Sequence, residues 1–363
     1  MKINYRGRLE KLRERLKPAE IDALIISEPH NIFYLSGCSG GFTGAKVRLI
    51  VDAGKSTLVI DHRYFDEALE VAVADRIIGW KTPSFSEVVN VVKDYGAVRV
   101  GFESAHVTVK QYERMVKEFD GIQLVGIPGL AEPIREIKDN YEIQKIGEAA
   151  AIGDAAFEHI IKYIKPGVSE RELAIEIEFF MRRRGAEKAS FDTIIASGSH
   201  SAVPHATPSA KKVGVGDFVK LDFGAVVGGY HSDMTRTVVV GRASQKHREI
   251  YAKVKEAQEA ALGAVAPGKI GKELDNIARD IISDAGYGKN FVHNLGHGVG
   301  LNVHESPILS VDSETELKKG MVVTVEPGIY ISGFGGVRIE DLVVVTETGH
   351  RVLTHSTKDL LEL

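Results

Sequence analysis

The sequence predicts an α+β protein of two domains, an α/β domain over residues 1–130 and a larger one over residues 131–363. Two observations carry that prediction. Short β-branched runs alternate with helical patterns through the first third, as in a mixed sheet covered by helices. From Asp139 onward a helix–helix–β-hairpin unit occurs twice, with its punctuation about a hundred residues apart. A chain of 363 residues is long enough for each domain to bury its own interior.

In the first domain the pattern gives a helix over 6–16 and strands over 23–27, 47–52, 57–60, 76–79, 98–102 and 123–127. Helices fit at 31–35, 63–73, 86–95 and 108–119, and Ala53-Gly54-Lys55 reads as a hairpin turn. The run Gly37-Cys38-Ser39-Gly40-Gly41 lacks both the lysine of a phosphate-binding loop and the spacing of a dinucleotide fingerprint, so it reads as a turn-forming loop. His30, His62 and His106 stand alone and read as ordinary surface or hydrogen-bonded histidines. Nothing in this domain by itself states an activity.

Ile127-Pro128-Gly129 through Glu132-Pro133 is the expected linker. Asp139 caps a helix that runs to about Ile164 and stops at Lys165-Pro166-Gly167; a Ser169–Glu172 capping box opens the next helix, which ends at Arg184-Gly185. Ser244 then starts the same sequence of events again. Pro166-Gly167 answers Pro267-Gly268 and Gly185 answers Gly286, at a common offset of 101 residues. Val203-Pro204-His205 matches Asn302-Val303-His304. The strand carrying Asp222 matches that carrying Glu326, and Asp233 matches Glu340. Two halves related by a pseudo-twofold axis would bring all four carboxylates to one centre.

Composition narrows the partners. The net charge is −4 with no basic stripe, and Arg182-Arg183-Arg184 sits where positive charge suits a helix C-terminus, so no nucleic-acid partner is expected. The single cysteine, Cys38, excludes an internal disulfide and a thiolate zinc site. The N-terminus has no apolar signal-peptide core, and no run approaches the ~20 apolar residues that span a bilayer. The expectation is a cytoplasmic protein with no membrane partner.

Asp and Glu are poor choices for core strands, yet Asp222 lies in Val219-Lys-Leu-Asp222-Phe and Glu326 in Val322-Val-Thr-Val-Glu326. Four facing buried carboxylates could not all ionise without counter-charge. Two divalent cations supply it, and oxygen ligands with one imidazole suit manganese, cobalt, iron or zinc. Such a site can activate water for hydrolysis. A polar core built on Arg236 and Arg338 is the alternative, since these are the cationic residues nearby in sequence.

Asp222, Asp233, His297, Glu326 and Glu340, with their flanks, resemble the five ligands of the pita-bread metallopeptidases, and the run from His293 to Glu305 is close to the signature of their Xaa-Pro branch (aminopeptidase P and prolidase). The resemblance covers essentially the whole chain. It implies a pita-bread catalytic domain preceded by a smaller creatinase-type N-terminal domain, which restricts access and makes contacts in a homodimer. It further implies two divalent ions per subunit, manganese or cobalt foremost with zinc or iron as alternatives. Asp222 and Asp233 would hold the first ion and His297 and Glu326 the second, with Asp233 and Glu340 shared. Glu326 would also manage protons for the attacking hydroxide, His304 would stabilise the tetrahedral intermediate, and His205 would assist from the matching position. His293 would line the proline side, Tyr330 would lie near the site, and Arg338 would orient Glu340. Asn294 stands where the signature has a small or aromatic residue. The implied substrate is a peptide with an N-terminal Xaa-Pro bond. A creatinase-like amidinohydrolase and a ligand-depleted, protein-binding relative are the alternatives, with methionine aminopeptidase a further rival; the full ligand set argues against the first two, and the large first domain against the third.

Overall fold

The computed structural model describes residues 3–44, 46–81 and 85–363, and the chain divides into two compact units, Met1–Arg135 and Glu136–Leu363. In the first unit α1 (Tyr5–Leu16) starts at Asn4, whose side chain accepts from the Gly7 N–H, and buries Leu9, Leu12 and Leu16. There follow β1 (Ala23–Ile26), α2 (Pro29–Ser36), β2 (Val47–Asp52), β3 (Ser56–Asp61), α3 (Phe65–Val71) and β4 (Arg76–Trp80). Next come α4 (Ser86–Asp94), β5 (Arg99–Glu103), α5 (Val109–Glu118), β6 (Gln123–Ile127) and the short α6 (Glu132–Arg135).

The described strands of this unit form one mixed sheet, ordered β4-β3-β2-β1-β5-β6. The β3-β2-β1 meander is antiparallel and the other pairings are parallel. The hairpin at Ala53-Gly54-Lys55 is fixed by Asp52, whose Oδ1 accepts from the Gly54 and Lys55 N–H groups. Two expectations shift. The helix expected over 63–73 begins as a 3-10 turn at His62–Tyr64 and ends at Val71. The Pro-Gly punctuation expected as a linker closes β6 instead, and the division between units falls after α6.

The second unit is a duplication. In its first half α7 (Asn140–Ile160) and α8 (Glu170–Arg183) precede β7 (Ile194–Ser197), β8 (Phe218–Phe223), the short β9 (Val226–Val227) and β10 (Tyr230–His231), and β11 (Met234–Val239). In its second half α9 (Gln245–Ala264) and α10 (Gly271–Asp284) precede β12 (Gly296–Gly298), β13 (Glu305–Leu309), β14 (Val322–Val325), β15 (Gly328–Ile331), β16 (Gly335–Arg338), β17 (Asp341–Val345) and β18 (His350–Val352). Reciprocal capping boxes at Asp139, Ser169 and Ser244 satisfy first-turn N–H groups, which is why these helices start where they do.

The two halves repeat each other down to single hydrogen bonds. Helices α8 and α10 begin and end 101 positions apart. The turn glycines Gly167 and Gly268 both take positive φ and donate to Val213 O and Leu317 O, 2.9 Å in each case. The first sheet is ordered β11-β8-β7 and the second β13-β12-β14-β17-β18. One apolar core packs α7 and α8 on the first sheet; the other packs α9 and α10 on the second. Between the halves, Thr237 Oγ1 donates to Arg338 O and accepts from Arg338 N–H, and Glu340 N–H donates to Thr235 O. Those bonds set the two hairpins face to face at their carboxylate ends.

Candidate metal centre

The matched hairpins bring the four carboxylates together. Asp222 lies inside β8, opposite Thr235 of β11. Asp233 immediately precedes β11, Glu326 immediately follows β14, and Glu340 immediately precedes β17. Glu326 was expected inside a strand; it lies one residue beyond because Pro327, which has no N–H, cannot extend the ladder. Its own N–H instead donates to Leu295 O, 2.8 Å away, tying it to the segment that leads into His297.

His297 sits on β12 between two glycines that nothing else could replace. A Cβ on Gly296 would lie 2.1 Å from Thr324 O, and one on Gly298 would lie 2.2 Å from Ser306 O. That close approach fixes the histidine backbone, and its N–H donates to Thr324 Oγ1 at 3.0 Å. Nδ1 lies 3.1 Å from Gly298 O, which assigns the ring proton to Nδ1. Nε2 therefore points at the carboxylates, 3.2 Å from Glu326 and 3.6 Å from Asp233. An imidazole held by a backbone carbonyl on one side with its other nitrogen facing carboxylates is the arrangement of a metal ligand.

Electrostatics point the same way. Burial pushes Asp233 well above the usual carboxylate range, and the charges of Glu340, Asp222 and Glu326 push it further. Glu340 is raised by burial and then by Glu326 and Asp222. Glu326 goes the other way: burial opposes its ionisation, but the hydrogen bond and charge of His297 outweigh it, so it is held below its ordinary value. His297 is raised, with the Glu326 bond overcoming burial. Two oxygens, Asp222 Oδ1 and Glu340 Oε1, are buried without any hydrogen-bond partner, and one ligand atom from each of Asp233, His297 and Glu340 lies within 4.8 Å of the others. Orphaned anionic acceptors clustered with an imidazole nitrogen fit divalent cations, because a buried acceptor without a partner is otherwise a net cost.

All fifteen residues lining the cavity over this centre, about 550 Å³ in volume, belong to the second unit. They include the five ligand candidates, His205, His293, His304 and Arg338. His304 stacks edge-on against His297 at 4.3 Å between ring centres, and burial with the His297 charge lowers its pKa. His293 is lowered mainly by burial. Its Nδ1 meets Asn294 O and its Nε2 meets the Tyr330 hydroxyl, both at 2.8 Å. The chain Arg338–Tyr330–His293–Asn294 O thus orients the ring, with Arg338 Nη1 donating to the Tyr330 oxygen at 2.7 Å. Tyr330 does not itself line the cavity; burial pushes its hydroxyl pKa up to about 12, so it remains a donor.

Arg338 differs from expectation. It makes no hydrogen bond to Glu340; its Nη2 donates to Asp222, its Nε to Thr235 Oγ1 and its Nη1 also to Pro204 O. It reaches Glu340 only through Thr235, whose hydroxyl donates to Glu340 Oε2 at 2.7 Å. The reason is geometric: β16 faces β11 and β8 of the other half, so the side chain spans the halves rather than its own strand. Four bonds to protein acceptors thus hold the guanidinium. Arg236 does not line the cavity: it pairs with Asp341 at 2.8 Å, bonds to Ser356 O and Thr357 O, and touches the centre only by donating to the Glu340 backbone carbonyl. Sequence reading passed over Thr235, Lys220, Phe191, Asp192, Ile194 and Ile308; the apolar ones among them line the cavity wall, and only their proximity to the motifs could have flagged them.

A duplicated α+β unit with carboxylates and a histidine at its pseudo-axis defines a pita-bread metallohydrolase. Residues 144–347 match metallopeptidase family M24, and residues 8–137 match the creatinase/prolidase N-terminal domain. The chain belongs to metallopeptidase family M24. It is 43% identical over 359 residues to the Xaa-Pro dipeptidase of Pyrococcus furiosus, covering 98% of this chain and 99% of that one. Among solved structures, it matches an Xaa-Pro dipeptidase from Bacillus anthracis with a TM-score of 0.95, at 43% identity over 99% of this chain and 100% of that one. It also matches an X-Pro aminopeptidase from Thermotoga maritima with a TM-score of 0.89, at 35% identity over 98% and 99% of the two chains.

Proposed function

We propose that this chain hydrolyses the peptide bond between an N-terminal residue and proline. The observation that carries the reading is the meeting of Asp222, Asp233, His297, Glu326 and Glu340, from both halves, in one cavity with His205, His293 and His304. The relatives named above act on Xaa-Pro or X-Pro substrates; the full ligand set separates this chain from the creatinase-like and ligand-depleted alternatives, and the creatinase/prolidase N-terminal domain separates it from methionine aminopeptidase.

Asp222 and Asp233 would hold one cation, His297 and Glu326 a second, with Asp233 and Glu340 shared; the oxygen-rich set favours manganese or cobalt. When bound, two such ions supply a water acidic enough to attack near neutral pH and positive charge for the developing oxyanion. The remaining work falls to side chains. Glu326, ionised beside His297, accepts the proton of the attacking water and delivers it to the prolyl nitrogen as the bond breaks. His304 and His205 face the cavity and donate to the carbonyl oxygen as it gains charge. Phe191, Ile194 and Ile308 supply apolar walls, and His293, locked by Tyr330, lines the side that receives the ring. A shaped slot is needed because the Xaa-Pro nitrogen carries no hydrogen and the ring fixes φ.

Incubation of metal-loaded protein with Ala-Pro and with longer Xaa-Pro peptides is the test. Release of the N-terminal residue from at least one of the two is expected, and their ratio assigns substrate length. Cleavage of neither rules the activity out.

A further inference from the structure

Lys220 is a lysine with no exposed surface, in the middle of β8 two residues before Asp222. Burying an ammonium is costly unless its donors are used. Among the described residues no carboxylate lies within ion-pair distance of it, so its donors are not spent on a salt bridge. It donates instead to two consecutive backbone carbonyls, Val203 O at 2.6 Å and Pro204 O at 2.8 Å. Those two residues lead directly into His205. Its Nζ also lies 5.1 Å from the centre of the Tyr330 ring.

The segment it holds is anchored on either side of His205 by the buried Ala206 and by Ser201, whose Oγ accepts from the Gly336 N–H. His205 and Val203 are exposed, on the stretch between β7 and β8. At its base the stretch is stapled by the buried Glu170, which accepts from Ser197 N–H and Oγ, from Ser209 N–H and Oγ, and faces His200 Nδ1. At its tip the anchors are Lys220 and Arg338 Nη1, both on Pro204 O. Arg338 in turn holds Asp222. One carbonyl therefore joins the metal-ligand strand to the histidine, and Lys220 supplies the shorter of its two bonds.

We propose that Lys220 is a positioning residue: by pinning the Val203 and Pro204 carbonyls it sets where His205 meets the substrate. This rests on His205 acting in Xaa-Pro hydrolysis. Because a misplacement of about 1 Å can cost roughly a hundredfold in rate, Lys220→Met should lower kcat by about ten- to a hundredfold with KM little changed.

The test is a double-mutant cycle of K220M and H205A on metal-loaded protein, with metal content and the melting temperature of each variant measured alongside. K220M and H205A should each lower kcat, and the double variant should be no slower than H205A alone, with metal content unchanged throughout. K220Q, which keeps two amide donors, should recover part of the K220M loss, and it replaces K220M in the cycle should that variant not fold. Losses that multiply in the double variant overturn the proposal, as does loss of metal in K220M, which would place Lys220 behind Asp222 instead. Full activity of H205A overturns it from the other side, by removing the role of His205.

Discussion

Asp233→Asn is expected to lower kcat/KM by about a thousandfold or more, which is on the order of 4 kcal/mol of lost transition-state stabilisation. On the proposed reading Asp233, with Glu340, would be shared between the two cations, and an amide can neither carry the charge nor bridge. The same substitution should leave the metal-free protein folded. In that state burial and the surrounding Glu340, Asp222 and Glu326 charges favour the neutral form of Asp233, and an asparagine of nearly the same size takes its place without a charge to bury. The expected pair of results is therefore an unchanged melting temperature without metal and a large loss of turnover with it. Full activity of the variant removes Asp233 from the mechanism; collapse of its metal-free fold makes Asp233 structural.

Metal removal should have an effect that depends on pH, and the sign follows from the shifts. Asp233, Glu340 and His297 all have folded pKa values raised above their ordinary ones. The stability such groups contribute is fully present below their unfolded values and is lost as pH rises through the folded ones. Glu326 is lowered, so its contribution is present above its unfolded value and is lost only in acid. Between pH 5 and 8 the three raised groups dominate, and the metal-free second unit should weaken as pH rises. Metal binding needs those groups deprotonated, so affinity rises over the same range. At a thousandfold excess over the dissociation constant one ion adds about 4 kcal/mol, or roughly 10 °C in melting temperature for a unit of this size. Calorimetry with and without manganese should show a larger increment at pH 8 than at pH 5. An increment independent of pH contradicts the assignment of those three groups as ligands.

Much of this centre could be read without coordinates, because the duplication is written in punctuation. Turn glycines recur at one spacing, capping boxes and the two histidine-bearing motifs recur close to it, and the carboxylates stand out against apolar strands. What could not be read are contacts that cross between the halves. Arg338 lies two residues before Glu340 in the chain, yet its guanidinium is taken by Asp222 on β8, more than a hundred positions earlier. Thr235 looks like any β-branched strand residue until pairing sets it opposite Asp222 and its hydroxyl against Glu340. Lys220 shows the same limit more sharply: alternation marks it as one more polar residue on a strand, and only the loop folded over it makes it a buried donor.

The central claim is that two divalent cations sit among these five side chains and that hydrolysis depends on them. Its most direct test is to strip the protein with a chelator, titrate it with manganese or cobalt, and count bound ions while following Ala-Pro and longer Xaa-Pro cleavage. Two ions per chain, with turnover absent before and restored as they bind, is the predicted result. A chain that binds none, or one whose turnover survives complete removal of metal, contradicts it.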